Sequence, residues 1–203
     1  MIVDLTHQLD PRTPVYPNSG EKAPHFDQQK TVARDGFSSF RMTCDMHTGT
    51  HIDAPAHMQE QGKKLSDVPL DYLCANACVI NAHNKKIIAR DLLHNITAPI
   101  VLLYTGFDQH YHDPDYFTNH PIINRDAAEK LIASKIRVLG IDFPSPDKFP
   151  FEIHQLLFQH DILIIENLTN LGALIGYNNI TVYALPLACA TDGAPARVIA
   201  EVT

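Results

Sequence analysis

From residue 75 onward the chain repeats one pattern: an apolar run of four to six residues, a polar break, a helical stretch, then another apolar run. Runs this short cannot span a bilayer, and their uniform apolarity marks strands that are covered rather than wetted. The clearest is 100–105, Ile-Val-Leu-Leu-Tyr-Thr, which ends at Gly106. Strands are likewise expected over 77–82, 138–142, 162–166, 180–187 and 197–202. Helices are expected over 89–94, 124–134 and 151–160, the second capped near Asn124 with Ala127, Ala128, Leu131 and Ile132 on one face. Strands separated by helices define an α/β class with a mixed β-sheet. No repeat or linker interrupts the chain, so 1–203 is read as a single domain.

The first 30 residues differ. After an extended opening, Pro11, Pro14, Pro17 and Pro24 each fix φ and remove a donor, so an irregular segment over the rim of a site is expected. A strand is expected over 37–46.

Composition excludes several partners. A net charge of −7 without a Lys/Arg cluster argues against sequence-independent nucleic-acid binding, which needs cations to displace counterions. No apolar run reaches membrane-spanning length, and the N-terminus has no basic n-region, so a cytoplasmic protein is expected. Cys44, Cys74, Cys78 and Cys189 form no CxxC pair and are read as buried reduced thiols.

The chemistry concentrates in 47–57. Twelve histidines spread evenly over 203 residues would place fewer than one in such a window, yet His47, His51 and His57 fall there with Asp53. Imidazoles and a carboxylate at spacings of four, two and four suit a divalent transition metal with an open coordination position. Gly49 and the flanking threonines disfavour a helix and favour a tight bend that lets the rings converge. Pro55 biases Ala54 to extended geometry and holds Asp53. The pattern is not the His-x-His-x-Asp-His signature, since Gly49 and Ala54 stand where its first and last histidines would be.

The run His47-Thr48-Gly49-Thr50-His51-Ile52-Asp53-Ala54-Pro55-Ala56-His57 resembles the signature of the metal-dependent cyclase family, which includes bacterial kynurenine formamidases and isatin hydrolases. The resemblance extends to Asp4-Leu5-Thr6-His7, Pro14-Val15-Tyr16-Pro17, Thr105-Gly106-Phe107-Asp108, Gly140-Ile141-Asp142-Phe143-Pro144-Ser145, Glu166-Asn167-Leu168 and Asp192-Gly193-Ala194-Pro195-Ala196-Arg197, essentially the whole chain. It implies a swivelling β/β/α fold and two divalent ions per subunit, zinc first and manganese second. By that resemblance His47, His51 and Asp53 bind one ion. Asp53 bridges to the other, held with His154 and Glu166, twelve residues apart, and Glu166 contacts both. His57 carries the proton. His154 is preferred to His160 on that spacing, and also because it shares a helix face with Leu157 and Phe158. Glu166 ends an apolar strand, where a carboxylate needs a metal or a cation such as Arg197.

The activity implied is hydrolysis of a small aromatic amide by metal-activated water: N-formylkynurenine to kynurenine and formate. The alternatives are a cyclic amide such as isatin, another cyclase-family carbonyl substrate, or a binding protein that has lost catalysis. The family's substrate-stacking tryptophan is matched here by Tyr16, in a chain without tryptophan; tyrosine can still stack on an aromatic amide. Phe26 and Phe37 are candidates for an apolar wall or for core packing. The partners expected are a small-molecule substrate and further copies of the chain, as a dimer or tetramer, with Tyr16 serving its own site or a neighbour's. The remaining histidines are expected to be mostly on the surface.

Overall fold

The computed structural model describes residues 1–17, 20 and 22–203. Its strands in chain order are β1 (Ile2–Asp4), β2 (His25–Lys30), β3 (Ser39–Thr43), β4 (His51–Asp53), β5 (Cys74–Asn81) and β6 (Ile87–Ile88), followed by β7 (Ile100–Tyr104), β8 (Ile122–Ile123), β9 (Val138–Ile141), β10 (Leu163–Glu166), β11 (Ile180–Pro186) and β12 (Gly193–Val202). The helices are α1 (Val32–Asp35), α2 (Leu70–Leu73), α3 (Arg125–Ala133) and α4 (Glu152–Phe158).

The sheet is mixed, as expected, but it is also closed. Strands run β12-β11-β5-β7-β9-β10-β4, and β4 pairs back onto β12, so seven strands form a barrel with β1 added on the outside of β12. The staves β5, β7, β9 and β10 are parallel to their neighbours in that series, and the remaining pairings are antiparallel. Side chains alternate across each stave. In β7, Ile100 and Leu102 join the core cluster that includes Ile52, Val138, Ile165 and Val182, while Val101 and Leu103 join the one shared with α3 and α4. The second cluster packs the helices against the barrel.

The stave that closes the ring is the shortest of the seven. β4 is only His51-Ile52-Asp53, all buried, with Ile164↔Asp53 and Glu166↔His51 on one side and Gly193↔Asp53 and Pro195↔His51 on the other. Period two sends Ile52 into one core and leaves His51 and Asp53 together on the opposite face. Three residues, two of them polar, carry no strand pattern, which is why the segment reads as a bend and closure is not foreseen. The bend is real two residues before β4, where Gly49 has φ +67° and a Cβ would stand 2.5 Å from Leu9 Cδ2.

Other boundaries shift for similar local reasons. The proline-rich segment contains β2, which pairs with β3 in a separate two-stranded hairpin whose residues are nearly all exposed. The helix expected over 89–94 is a single 3₁₀ turn, Arg90–Leu92. Asn124 does cap α3, its side chain accepting from Ala127 N–H. The four thiols are free, but each is only half-buried. Among the described residues no helix is long and apolar enough to cross a membrane.

Candidate metal centre

The site lies on the β4–β10 face that α4 covers. Its members come from several elements. His47 comes from the bend before β4, His51 and Asp53 from β4 itself, Glu166 from the end of β10, and His154 from the buried face of α4 with Ile153, Leu157 and Phe158. His57 follows in the 3₁₀ turn Pro55–His57. All six predicted polar residues therefore converge.

Two groups interlock. In the first, His47 Nδ1 lies 2.6 Å and His51 Nε2 3.3 Å from Asp53 Oδ1. In the second, His154 Nε2 lies 3.1 Å from Glu166 Oε1, and Asp53, His154 and Glu166 bring ligand atoms within 4.8 Å of one another. Asp53 belongs to both, and His51 Nε2 also approaches Glu166 Oε2 at 3.5 Å. His160 is exposed at the end of α4 and takes no part. Arg197 pairs with Asp4 at 2.6 Å, so it does not neutralise Glu166.

The rings are oriented from behind. His51 Nδ1–H donates to Gly49 O at 2.8 Å, which turns Nε2 toward the carboxylates. His154 Nδ1–H donates to Asp147 Oδ1 at 2.6 Å, and Asp147 Oδ2 accepts from Ile153 N–H at the start of α4. A carboxylate or carbonyl behind the ring is the usual support of a metal-binding histidine. The bend is fixed in turn by Asn167, whose Nδ2 donates to Gly49 O while its Oδ1 accepts from Tyr116.

Asp147 and Asp192 are the site residues the sequence reading missed. Asp192 Oδ2 accepts from His47 at 3.0 Å and from His57 at 3.2 Å. Asp147 stands in no local pattern, and Asp192, though it opens the 192–197 run, has no spacing that ties it to a ligand. Asp147 supports α4 from five residues before its first turn, where a helix cap is not sought. Asp192 meets His57 only through the closed barrel.

The charges are strongly coupled. Burial would lower the His47 pKa, but Asp53 and Asp192 more than offset it and push it up to about 9. For His154, burial is likewise outweighed, by Asp147 and Glu166, and the pKa rises to about 10. Burial would raise Asp53, yet His51 and His47 hold it well below the usual carboxylate range. Burial, reinforced by the negative Asp53, raises Glu166. Without a cation these contacts need protons on the imidazoles. The donor set of imidazoles and carboxylates is the one that zinc and manganese take, so the residues fit a divalent ion standing where the protons now stand.

Over these groups lies a cavity of about 240 Å³. Its polar floor is the site just described, and its apolar wall includes Tyr16, Met58, Phe117 and Phe151. Tyr16 is edge-on to Phe117 with ring centroids 5.5 Å apart, so it lines the cavity of its own chain. Phe26 and Phe37 do not reach it; both are exposed on the hairpin side.

The family model described as "Putative cyclase" matches residues 3–148, and the chain belongs to that family. Two curated relatives are more particular. A kynurenine formamidase of Bacillus cereus is 34% identical over 167 residues, covering 78% of this chain and 78% of the relative. One from Geobacillus thermodenitrificans is 32% identical over 207 aligned positions, covering 96% and 94%. Among solved structures, isatin hydrolase A from Labrenzia aggregata bound to benzyl benzoate superposes with a TM-score of 0.88 at 24% identity, covering 100% of this chain and 94% of that one, a likeness of fold.

Proposed function

We propose that the protein is a metal-dependent amidohydrolase acting on a small aromatic amide, with N-formylkynurenine, hydrolysed to kynurenine and formate, as the substrate. The observation that carries this reading is the sharing of Asp53 between two imidazole–carboxylate groups, with a fourth histidine, His57, at the edge of the same cavity. His47, His51 and Asp53 would hold one divalent ion, and Asp53, His154 and Glu166 a second; zinc is the first choice, manganese the other. Such ions supply Lewis acidity and lower the pKa of a nearby water.

The chain's own residues do the rest. Tyr16 and Phe117 offer aromatic faces and edges to the substrate ring, with Met58 and Phe151 extending the wall. This places the amide over the polar floor. His57 is not needed as a ligand in either group, so it is free to take the proton from the attacking water and deliver it to the leaving nitrogen. Water adds to the carbonyl carbon, the C–N bond breaks, and no side chain becomes acylated.

A second reading is hydrolysis of a cyclic amide such as isatin. The full-length likeness to isatin hydrolase A supports it, together with a tyrosine where the formamidases stack a tryptophan. The test is a panel of aryl formamides and isatin followed by ultraviolet absorbance, on protein stripped with a chelator and then reloaded. Activity should disappear with the metal and return with zinc or manganese, with N-formylkynurenine the fastest substrate. Full activity of stripped protein would contradict the proposal, and faster isatin opening would select the second reading.

A dimer or tetramer is also part of the proposal. A two-stranded hairpin is marginal alone, and β2–β3 exposes Phe26, Phe40 and Met42. Light scattering at micromolar concentration checks it: a monomeric mass would contradict the assembly.

A further inference from the structure

One carboxylate outside the two metal groups joins the ligand His47 to the proton carrier His57. Asp192 Oδ2 lies 3.0 Å from His47 Nε2 and 3.2 Å from His57 Nδ1, and the two rings sit with centroids 4.0 Å apart. Asp192 is itself fixed. Its carbonyl accepts from Ala54 N–H at 2.8 Å, directly after β4, and the neighbouring Thr191 carbonyl accepts from Leu65 N–H at 3.0 Å. Gly193, the next residue, leaves room for the His47 ring: a Cβ there would stand 2.5 Å from Cε1. The ring is thus pinned between a backbone that must be glycine and two carboxylates.

An ionised carboxylate can only accept, so each nitrogen facing Asp192 must carry a hydrogen. For His57 this selects the Nδ1–H tautomer and leaves the Nε2 lone pair available. For His47 it turns Nδ1 toward Asp53, as a carboxylate behind a metal-binding imidazole does.

Resting on the hydrolase reading above, we propose that Asp192 is a positioning residue of the reaction, holding His57 as the Nδ1–H tautomer that accepts a proton at Nε2 and bracing His47 through the same oxygen. A competing role is visible in the geometry, because His47, His57 and Asp192 also bring ligand atoms within 4.8 Å. A ligand and a positioning residue differ in what their loss removes.

The experiment uses full-length, zinc-loaded protein with ¹⁵N-labelled histidine, comparing wild type with Asp192→Asn. In wild type the His57 resonances should show a protonated Nδ1 and an unprotonated Nε2. In Asp192→Asn that preference should be lost and zinc content should be unchanged. The kcat on an aryl formamide should fall by about 10²- to 10⁴-fold with KM within a few-fold, the scale seen when the aspartate that orients a catalytic histidine becomes asparagine. Asp192→Glu should recover part of the rate. An Nε2–H tautomer in wild type, an unchanged kcat in Asp192→Asn, or loss of a zinc ion from that variant would each overturn the proposal. If wild type hydrolyses no amide with either metal, the hydrolase reading fails. The wild-type tautomer still decides Asp192's part, as it does if Asp192→Asn fails to fold.

Discussion

Two sets of half-buried or buried histidine in this molecule are shifted in opposite directions. His47 and His154 sit among carboxylates and are raised to about 9 and about 10. His7 and His120 lie on the other side of the comparison, and burial lowers both to about 4. His7 stacks on Tyr111 with centroids 3.7 Å apart and its buried Nε2 has no hydrogen-bond partner among the described residues; His120 donates Nδ1–H to Pro121 O and stacks near Phe143. Burial alone expels the proton. Burial beside Asp53, Asp147, Asp192 or Glu166 retains a positive charge, and a retained charge can be exchanged for a metal ion. Clustering with carboxylates, rather than burial, separates a metal site from a packed ring.

The largest effect that would break this comparison comes from Asp53→Asn. It removes the one carboxylate common to both groups, so activity should fall by at least about 10³-fold, several kcal/mol of lost transition-state stabilisation. Steady-state rates on N-formylkynurenine check it, and a loss below tenfold would mean the shared carboxylate is not central.

Next is the support of His154. Asp147→Asn leaves the ligands in place but removes the negative charge behind the ring and leaves one accepting oxygen where His154 and Ile153 N–H each use one, and zinc affinity should drop about 10- to 100-fold, read by competition with a chelator. Gly193→Ala should weaken binding on a similar scale by pressing a methyl into the His47 ring. An unchanged affinity in either variant would leave those contacts without a role in the site.

The smallest expected effect is on stability. His120 is depressed in the folded chain, so between pH 6.5 and about 4 the unfolded chain binds a proton that the folded one refuses. Stability therefore rises with pH across that window. In metal-free protein His47 and His154 act oppositely. Their stabilisation is complete below about 6.5 and is lost as pH rises through about 9 and 10. Urea midpoints against pH should show His120→Gln flattening only the acid slope and Asp147→Asn flattening only the alkaline one. Equal effects on both slopes would erase the distinction between the two sets.

What was legible in the sequence follows the same division. The four-two-four spacing exposed His47, His51, Asp53 and His57 because one bend, one short strand and the turn directly after it hold them all. Helical periodicity put His154 on a buried face, and an apolar run ending in Glu166 marked a carboxylate in need of a partner. Closure of the barrel was not legible, since its last stave is three residues that read as ligands rather than strand. Asp147 and Asp192 were not legible either: each acts on a ring brought to it by the fold, and a single aspartate in a loop has no periodicity to betray it. His120 was expected among surface histidines, yet only 5% of it is exposed, because its polar neighbours in sequence turn outward while its ring faces Phe143.

The most direct measurement is calorimetric titration of metal-free protein with zinc at pH 7, in two buffers of different ionisation enthalpy. Saturation at two ions per chain with net proton release is expected, because imidazoles held protonated by the carboxylates must give up their protons to bind metal. Asp53→Asn should abolish the tight phase. No saturable binding, or binding that survives Asp53→Asn without proton release, would contradict a metal centre built on the shared aspartate.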